Sequence, residues 1–108
     1  MHVAIDQLSD GARERVRKHS KMLFGNQDTL LVAVAVARSS TGSVNATEIG
    51  WQVRLQANRV RAQLIAFVEL GYMEDGQMRD RTRWFVRRGS GFWAMCEQIF
   101  SEAAGESR

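Results

Sequence analysis

The sequence predicts a mainly α fold with a small β-hairpin wing: a helix-turn-helix that runs into a hairpin, with helices flanking it on both sides. Three observations carry this. Residues 45–72 hold two short helical patterns, separated by a break after Leu55 and closed by Gly71. Directly after them, Thr82, Trp84 and Val86 alternate with Arg83, Phe85 and Arg87, a strand-like period of two. Apolar stripes at helical spacing lie before and after this centre, in residues 8–24 and 92–103.

With 108 residues the chain has the size of one domain, large enough to bury a core without staples. We divide it into an N-terminal helix (1–28), a helical core with the helix-turn-helix (29–71), a wing (72–88) and a C-terminal helix (89–108). The longest apolar run, residues 30–37, is far short of the roughly 18 residues that suggest a membrane span. The start, MHVAIDQLSD, has no basic segment followed by an apolar block, so no secretory signal is expected and a cytoplasmic location is. Cys96 is a lone cysteine, and His2 and His19 do not cluster with it, so neither a disulfide nor a bound metal or other cofactor is expected.

Charge is unevenly placed. Residues 51–88 carry eight arginines and no lysine against four carboxylates, whereas residues 89–108 carry one arginine against three glutamates. A basic middle built from arginine suits a polyanion, because the guanidinium fork matches phosphate and guanine in two-point contact. A solvated surface is the plainer explanation of the same charges.

Taken in order, residues 1–7 are expected to be loosely ordered. Ser9 or Asp10 caps a first helix that reaches about Phe24, with Leu8, Ala12, Val16 and Leu23 as its apolar stripe and His19 at the core's edge. On its polar face Glu14 is placed to pair with Lys18 at i,i+4. Gly25 and Asn26 end the helix, and Asp28 or Thr29 can cap the next.

The run LLVAVAVAR alternates like a strand. We assign it as a buried helix because it is apolar on all sides and must precede a helix-turn-helix. SSTGS is a loop, with room for a short strand at Ser43 and Val44.

Asn45 or Thr47 caps the first helix of the motif, Glu48 suits its positive end, and Ile49 and Val53 face inward. Gly50 costs about 1 kcal/mol in helix propensity relative to alanine, which implies close approach of the second helix. Trp51 points away from Ile49, so it is either covered by another part of the chain or marks a protein contact. On the second helix Val60, Leu64, Phe67 and Val68 form the inward face, and Leu70 and Gly71 end it. The tip of the hairpin falls at Glu74–Gly76 or at Arg79–Asp80.

Ser90 caps a last helix to about Ala103. Its stripe, Phe92, Cys96, Ile99 and Ala103, is widened by Trp93 and Phe100, more apolar surface than a small core needs. We therefore expect it to pack on the first helix and on a second subunit. Cys96 on this stripe fits a buried structural thiol better than a redox sensor. GESR is expected to be a frayed tail.

The order of elements and residues 45–88 resemble the winged helix-turn-helix transcription regulators of bacteria, in particular the MarR-like and ArsR-like superfamily. The pattern "V-x-A-x-E-L-A-x-x-L" is met by Val44, Ala46, Glu48, Ile49, Gly50 and Val53, and the following helix by Val60, Leu64, Phe67, Gly71 and Tyr72. The flanking helices match by position and character only. The resemblance implies double-stranded DNA as partner, a homodimer, and base reading by Gln56, Asn58, Arg59, Arg61 and Gln63 in the major groove. Arg79, Arg81 and Arg83 would then lie along the minor groove or backbone. These residue types fit, since arginine pairs with guanine and asparagine or glutamine with adenine in two-point contacts, while wing arginines add salt-dependent affinity.

Metal-sensing members need clustered ligands that are missing here, and a small-molecule effector, if one binds, is not named by any residue. A winged-helix protein-interaction module or adaptor is the alternative function. Trp51 and the surface made by Phe92, Trp93, Cys96, Ile99 and Phe100 are its candidate interface, as they are for a dimer. No nucleophile elbow, phosphate loop or paired-acid signature is present, so an enzyme is not expected.

Overall fold

A computed structural model describes residues 4–105. The expectations for residues 1–3 and 106–108 lie outside that range. The chain forms a short 3-10 turn (Ile5–Gln7), then α1 (Asp10–Phe24), α2 (Thr29–Ala37), β1 (Ser43–Asn45), α3 (Ala46–Val53), α4 (Ala57–Glu69), β2 (Met73–Arg79), β3 (Thr82–Arg87) and α5 (Gly91–Ala104). This is a winged helix-turn-helix fold with helices on either side.

Ile5 and Leu8 are buried, so the segment before α1 is held to the core instead of loose. Ser9 caps α1 by accepting from the Ala12 amide, and Gly25 ends the helix at φ 78°, the left-handed region glycine enters freely. Its buried face is Ala12, Val16 and Ser20, which corrects the expected stripe: Leu23 is 57% exposed and His19 is exposed. Ser20 takes the inner position because its hydroxyl is fully satisfied. It donates to the Asn26 carbonyl at 2.7 Å and accepts from the Leu30 amide at 2.9 Å, tying the end of α1 to the start of α2. Glu14 pairs with Arg17 at 3.2 Å, not with Lys18, in an exposed contact of small energetic weight.

The strand-like run is a helix. Every residue of α2 from Thr29 to Val36 is buried, because α1, α3, α4 and α5 all pack around it. A helix surrounded on all sides has no polar face, which is why its sequence shows no helical periodicity. Its C-terminal carbonyls are met from the sheet: the Arg87 guanidinium donates to the carbonyls of Val36, Ala37 and Ser39 at 2.8, 3.1 and 2.9 Å. Arg38, next in the chain, forms a two-point ion pair with Glu97 of α5 at 2.9 and 3.1 Å.

The strands form one antiparallel sheet in the order β1-β3-β2. Val44 pairs with Phe85 and Arg79 with Thr82, so the hairpin tip is Asp80–Arg81. Both tip residues have positive φ, 50° and 65°, as a two-residue type I′ turn demands. The register shifts between Asp75 and Met78, a bulge beside Gly76, where a Cβ would sit 3.0 Å from the Trp84 carbonyl oxygen.

Candidate nucleic-acid interface

Asn45 starts the motif by accepting from the Glu48 amide at 2.9 Å. At the other end of α3, Arg54 turns the chain through the left-handed region at φ 59°, and the Leu55 amide bonds the Gly50 carbonyl. The turn is tight enough that a Cβ on Gly50 would lie 2.7 Å from the Leu55 carbonyl oxygen. This is the close approach that explains a glycine inside an eight-residue helix. Val60, Leu64 and Phe67 then fix the rotation of α4 by burying one face, and Gln56, Asn58 and Arg61 are left in solvent.

Two of the expected reading residues are committed elsewhere. Gln63 is buried and accepts a hydrogen bond from the Thr29 hydroxyl at 2.8 Å, so its amide faces α2. One turn earlier, Arg59 forks onto Asp28 with Nε–Oδ2 at 3.0 Å and Nη2–Oδ1 at 2.7 Å. Asp28 stands at the N-terminus of α2 without making a capping bond, and its carboxylate is spent on Arg59 instead.

On the wing, Arg79 lies over the Trp84 ring at 4.2 Å, which holds it along the hairpin. Arg83 pairs with Asp75 across the strands at 2.6 and 3.0 Å and also covers Phe85. Arg81, at the tip, has no hydrogen-bond or ion-pair partner among the described residues, and neither has Arg61 of α4. These two line one small cleft together with Thr47, Thr82 and Arg83.

A second group of arginines adjoins the motif, outside the residues expected to bind. Arg13 of α1 donates to the Arg54 carbonyl at 3.3 Å, and Arg54 donates to the Asp6 carbonyl at 2.7 Å. Burial, followed by the charges of Arg17 and Arg54, lowers the pKa of Arg13. The signal lay in α1 at i,i+4 spacing, Arg13 and Arg17, but only the packing of α1 beside the α3–α4 turn brings Arg54 to them.

The α5 residues expected at an interface mostly face inward. Trp93, Cys96 and Phe100 are buried in the chain's own core, and Phe92 and Ile99 are half-buried. The base of the hairpin absorbs the excess aromatic surface. Tyr72 stacks on Phe92 at 4.3 Å, Phe67 meets Trp93 edge-on at 5.5 Å, and the Trp93 indole donates to the Arg88 carbonyl. Burial pushes the Cys96 thiol up to about 12, with Glu97 adding to the shift, so the reactive thiolate is scarce. Trp51, in contrast, is 75% exposed: no part of the described chain covers it.

Among the described residues no helix is long and apolar enough to cross a membrane, and no group of three or more His, Cys, Asp or Glu gathers as metal ligands would.

No protein-family model matches the chain, and no curated protein matches it. Among solved structures, the chain is similar to the crystal structure of overoxidized AbfR bound to DNA, with a TM-score of 0.56 and 14% identity. The match covers 87% of this chain and 67% of that one, and at such identity it bears on the fold.

Proposed function

We propose that this chain is a DNA-binding transcription regulator of the MarR-like and ArsR-like kind. The N-terminal half of α4 reads the major groove, and the wing arginines hold the backbone or minor groove. The observation that carries this reading is the exposure of Gln56, Asn58 and Arg61 on one helix beside a hairpin bearing Arg79 and Arg81. The likeness to a structure solved on DNA supports it. The base-reading set narrows to Gln56 and Asn58, with Arg61 exposed beside them and Arg59 contributing only to the extent that it leaves Asp28. A homodimer would place two such helices on half-sites about 34–36 Å apart. Its α5 surface would use Met95, 46% exposed, and Ile99 in place of the buried Trp93, Cys96 and Phe100.

Selection from a random duplex pool tests the reading. A palindromic sequence should be enriched, and Asn58→Ala should weaken that sequence by about 1–3 kcal/mol while sparing unrelated duplexes. A pool that shows no enrichment would count against sequence-specific binding.

The exposure of Trp51 favours a second reading, a protein-interaction module. On that reading Trp51→Ala abolishes a partner contact and leaves duplex binding unchanged.

A further inference from the structure

We infer that the cleft between α3, α4 and the wing tip is a seat for a single phosphate group, held jointly by Arg61 and Arg81. This rests on the DNA-binding reading for its source of phosphate, but the seat itself is argued from the cleft. Its volume is only about 110 Å³, well below the roughly 300–1,000 Å³ of drug-sized pockets. The size admits a small ion and excludes a large organic ligand.

The lining is cationic and hydroxylic. Thr47, Arg61, Arg81, Thr82 and Arg83 contribute, and no carboxylate lines the cleft. Of the cleft's three arginines Arg83 is paired with Asp75, and elsewhere Arg59 is held by Asp28, Arg38 by Glu97 and Arg87 by three carbonyls. Arg61 and Arg81 come from different elements, are exposed, and converge on one opening with no partner of their own among the described residues. Two like charges brought together at no internal gain are what an external dianion or phosphodiester would stabilise. Thr47 stands in the first turn of α3, the positive end of that helix, and its hydroxyl and that of Thr82 add donors.

The positions are set by structure. Val60 and Leu64, buried on either side of Arg61 in the sequence, fix the outward direction of Arg61. The positive φ of Arg81 belongs to the type I′ turn that ends the hairpin. Arg61 is thereby moved from reading bases to anchoring the backbone, a role that carries no sequence information.

Two measurements test the seat in the full chain. Inorganic phosphate is titrated while the arginine side-chain Nε–H resonances are followed by NMR, and duplex affinity is measured against salt for Arg61→Gln, Arg81→Gln and the double variant. The expected result is a saturable shift of both Arg61 and Arg81, with the Arg81 response lost in Arg61→Gln. Each single variant should weaken a selected and an unrelated duplex equally, about tenfold at low salt, and reduce the salt slope by about 0.9. Because both residues hold one group, the double variant should be little weaker than the worse single one. Additive losses, or shifts in neither arginine, overturn the shared seat even if the duplex is bound, and the DNA-binding reading then survives alone. Phosphate shifts in a chain that binds no duplex keep the seat, assign it to free phosphate, and remove the DNA-binding reading.

Discussion

The guanidinium of Arg59, on α4, closes a two-point ion pair with Asp28 at the start of α2, and the Asp28 side chain is only 7% exposed. The pair fastens α4 to the buried central helix 31 residues earlier in the chain. An arginine that the family resemblance implies for the groove is thus a tie that orients the helix carrying it.

Removing Arg59 therefore has two consequences. Arg59→Ala strands a buried carboxylate and should lower unfolding free energy by about 1–3 kcal/mol. The arginine's partial exposure, 40% of its side chain, keeps the loss from the upper range of buried pairs. Urea midpoints of Arg59→Ala and Asp28→Asn should both fall, whereas Asn58→Ala should leave the midpoint unchanged. Loss of DNA binding by Arg59→Ala at full stability would instead assign the residue to the groove.

Arg87 lies in the same basic segment and has a different role. Its guanidinium serves three carbonyls at the end of α2, so Arg87→Met should destabilise the fold by about 1–3 kcal/mol, with duplex affinity of the folded protein unchanged. Thermal unfolding and a binding titration below the transition separate these effects. All three carbonyls are served by one nitrogen, Nη1, so a lysine, whose ammonium also donates from a single nitrogen, should recover part of the loss.

Gly50→Ala places a methyl 2.7 Å from the Leu55 carbonyl oxygen, which is backbone and cannot rotate away. Overpacking of about 1–3 kcal/mol is expected, despite alanine's better helix propensity. A rise in melting temperature would show that the turn opens at no cost.

Cys96 makes a prediction about pH. Its thiol ionises near 9 when unfolded and near 12 in the fold. Above pH 9 the unfolded chain has lost a proton that the folded chain keeps, so this group lowers stability progressively as pH rises from 9 towards 12. Cys96→Ala should flatten that fall, and at pH 8 the native thiol should react with a disulfide reagent far more slowly than the urea-unfolded chain. Equal rates would mean that the thiol is accessible in the fold.

Much of the architecture was legible from residue type and spacing. Gly25, Ser9, Asn45, Ser90 and Gly71 mark helix ends through local backbone chemistry, and the helical repeat of Val60, Leu64 and Phe67 fixed the inner face of α4. These signals survive folding because they depend on neighbours a few residues away. The exposed half of α4 follows from the same local rules; the hairpin tip fits two places in the sequence, and the pairing of Arg79 with Thr82 puts it at Asp80–Arg81.

Partnership between distant residues was not legible. Gln63 and Arg59 have the right chemistry for reading bases, but Thr29 and Asp28, more than 30 residues away, occupy them. Leu23, expected on the inner stripe, is exposed, and Ser20 is buried because its hydroxyl satisfies two backbone groups at the α1–α2 corner. Much of the aromatic surface of α5 is met within the chain by Tyr72 and Phe67, a contact the sequence pattern does not report. By itself the sequence determined which residues form helices, where those helices end, and that arginine is concentrated near the motif. Tertiary structure alone decided which of those arginines are spent inside the molecule and which remain free, because a charge is neutralised by whatever lies within a few ångströms in space, and sequence distance does not report that.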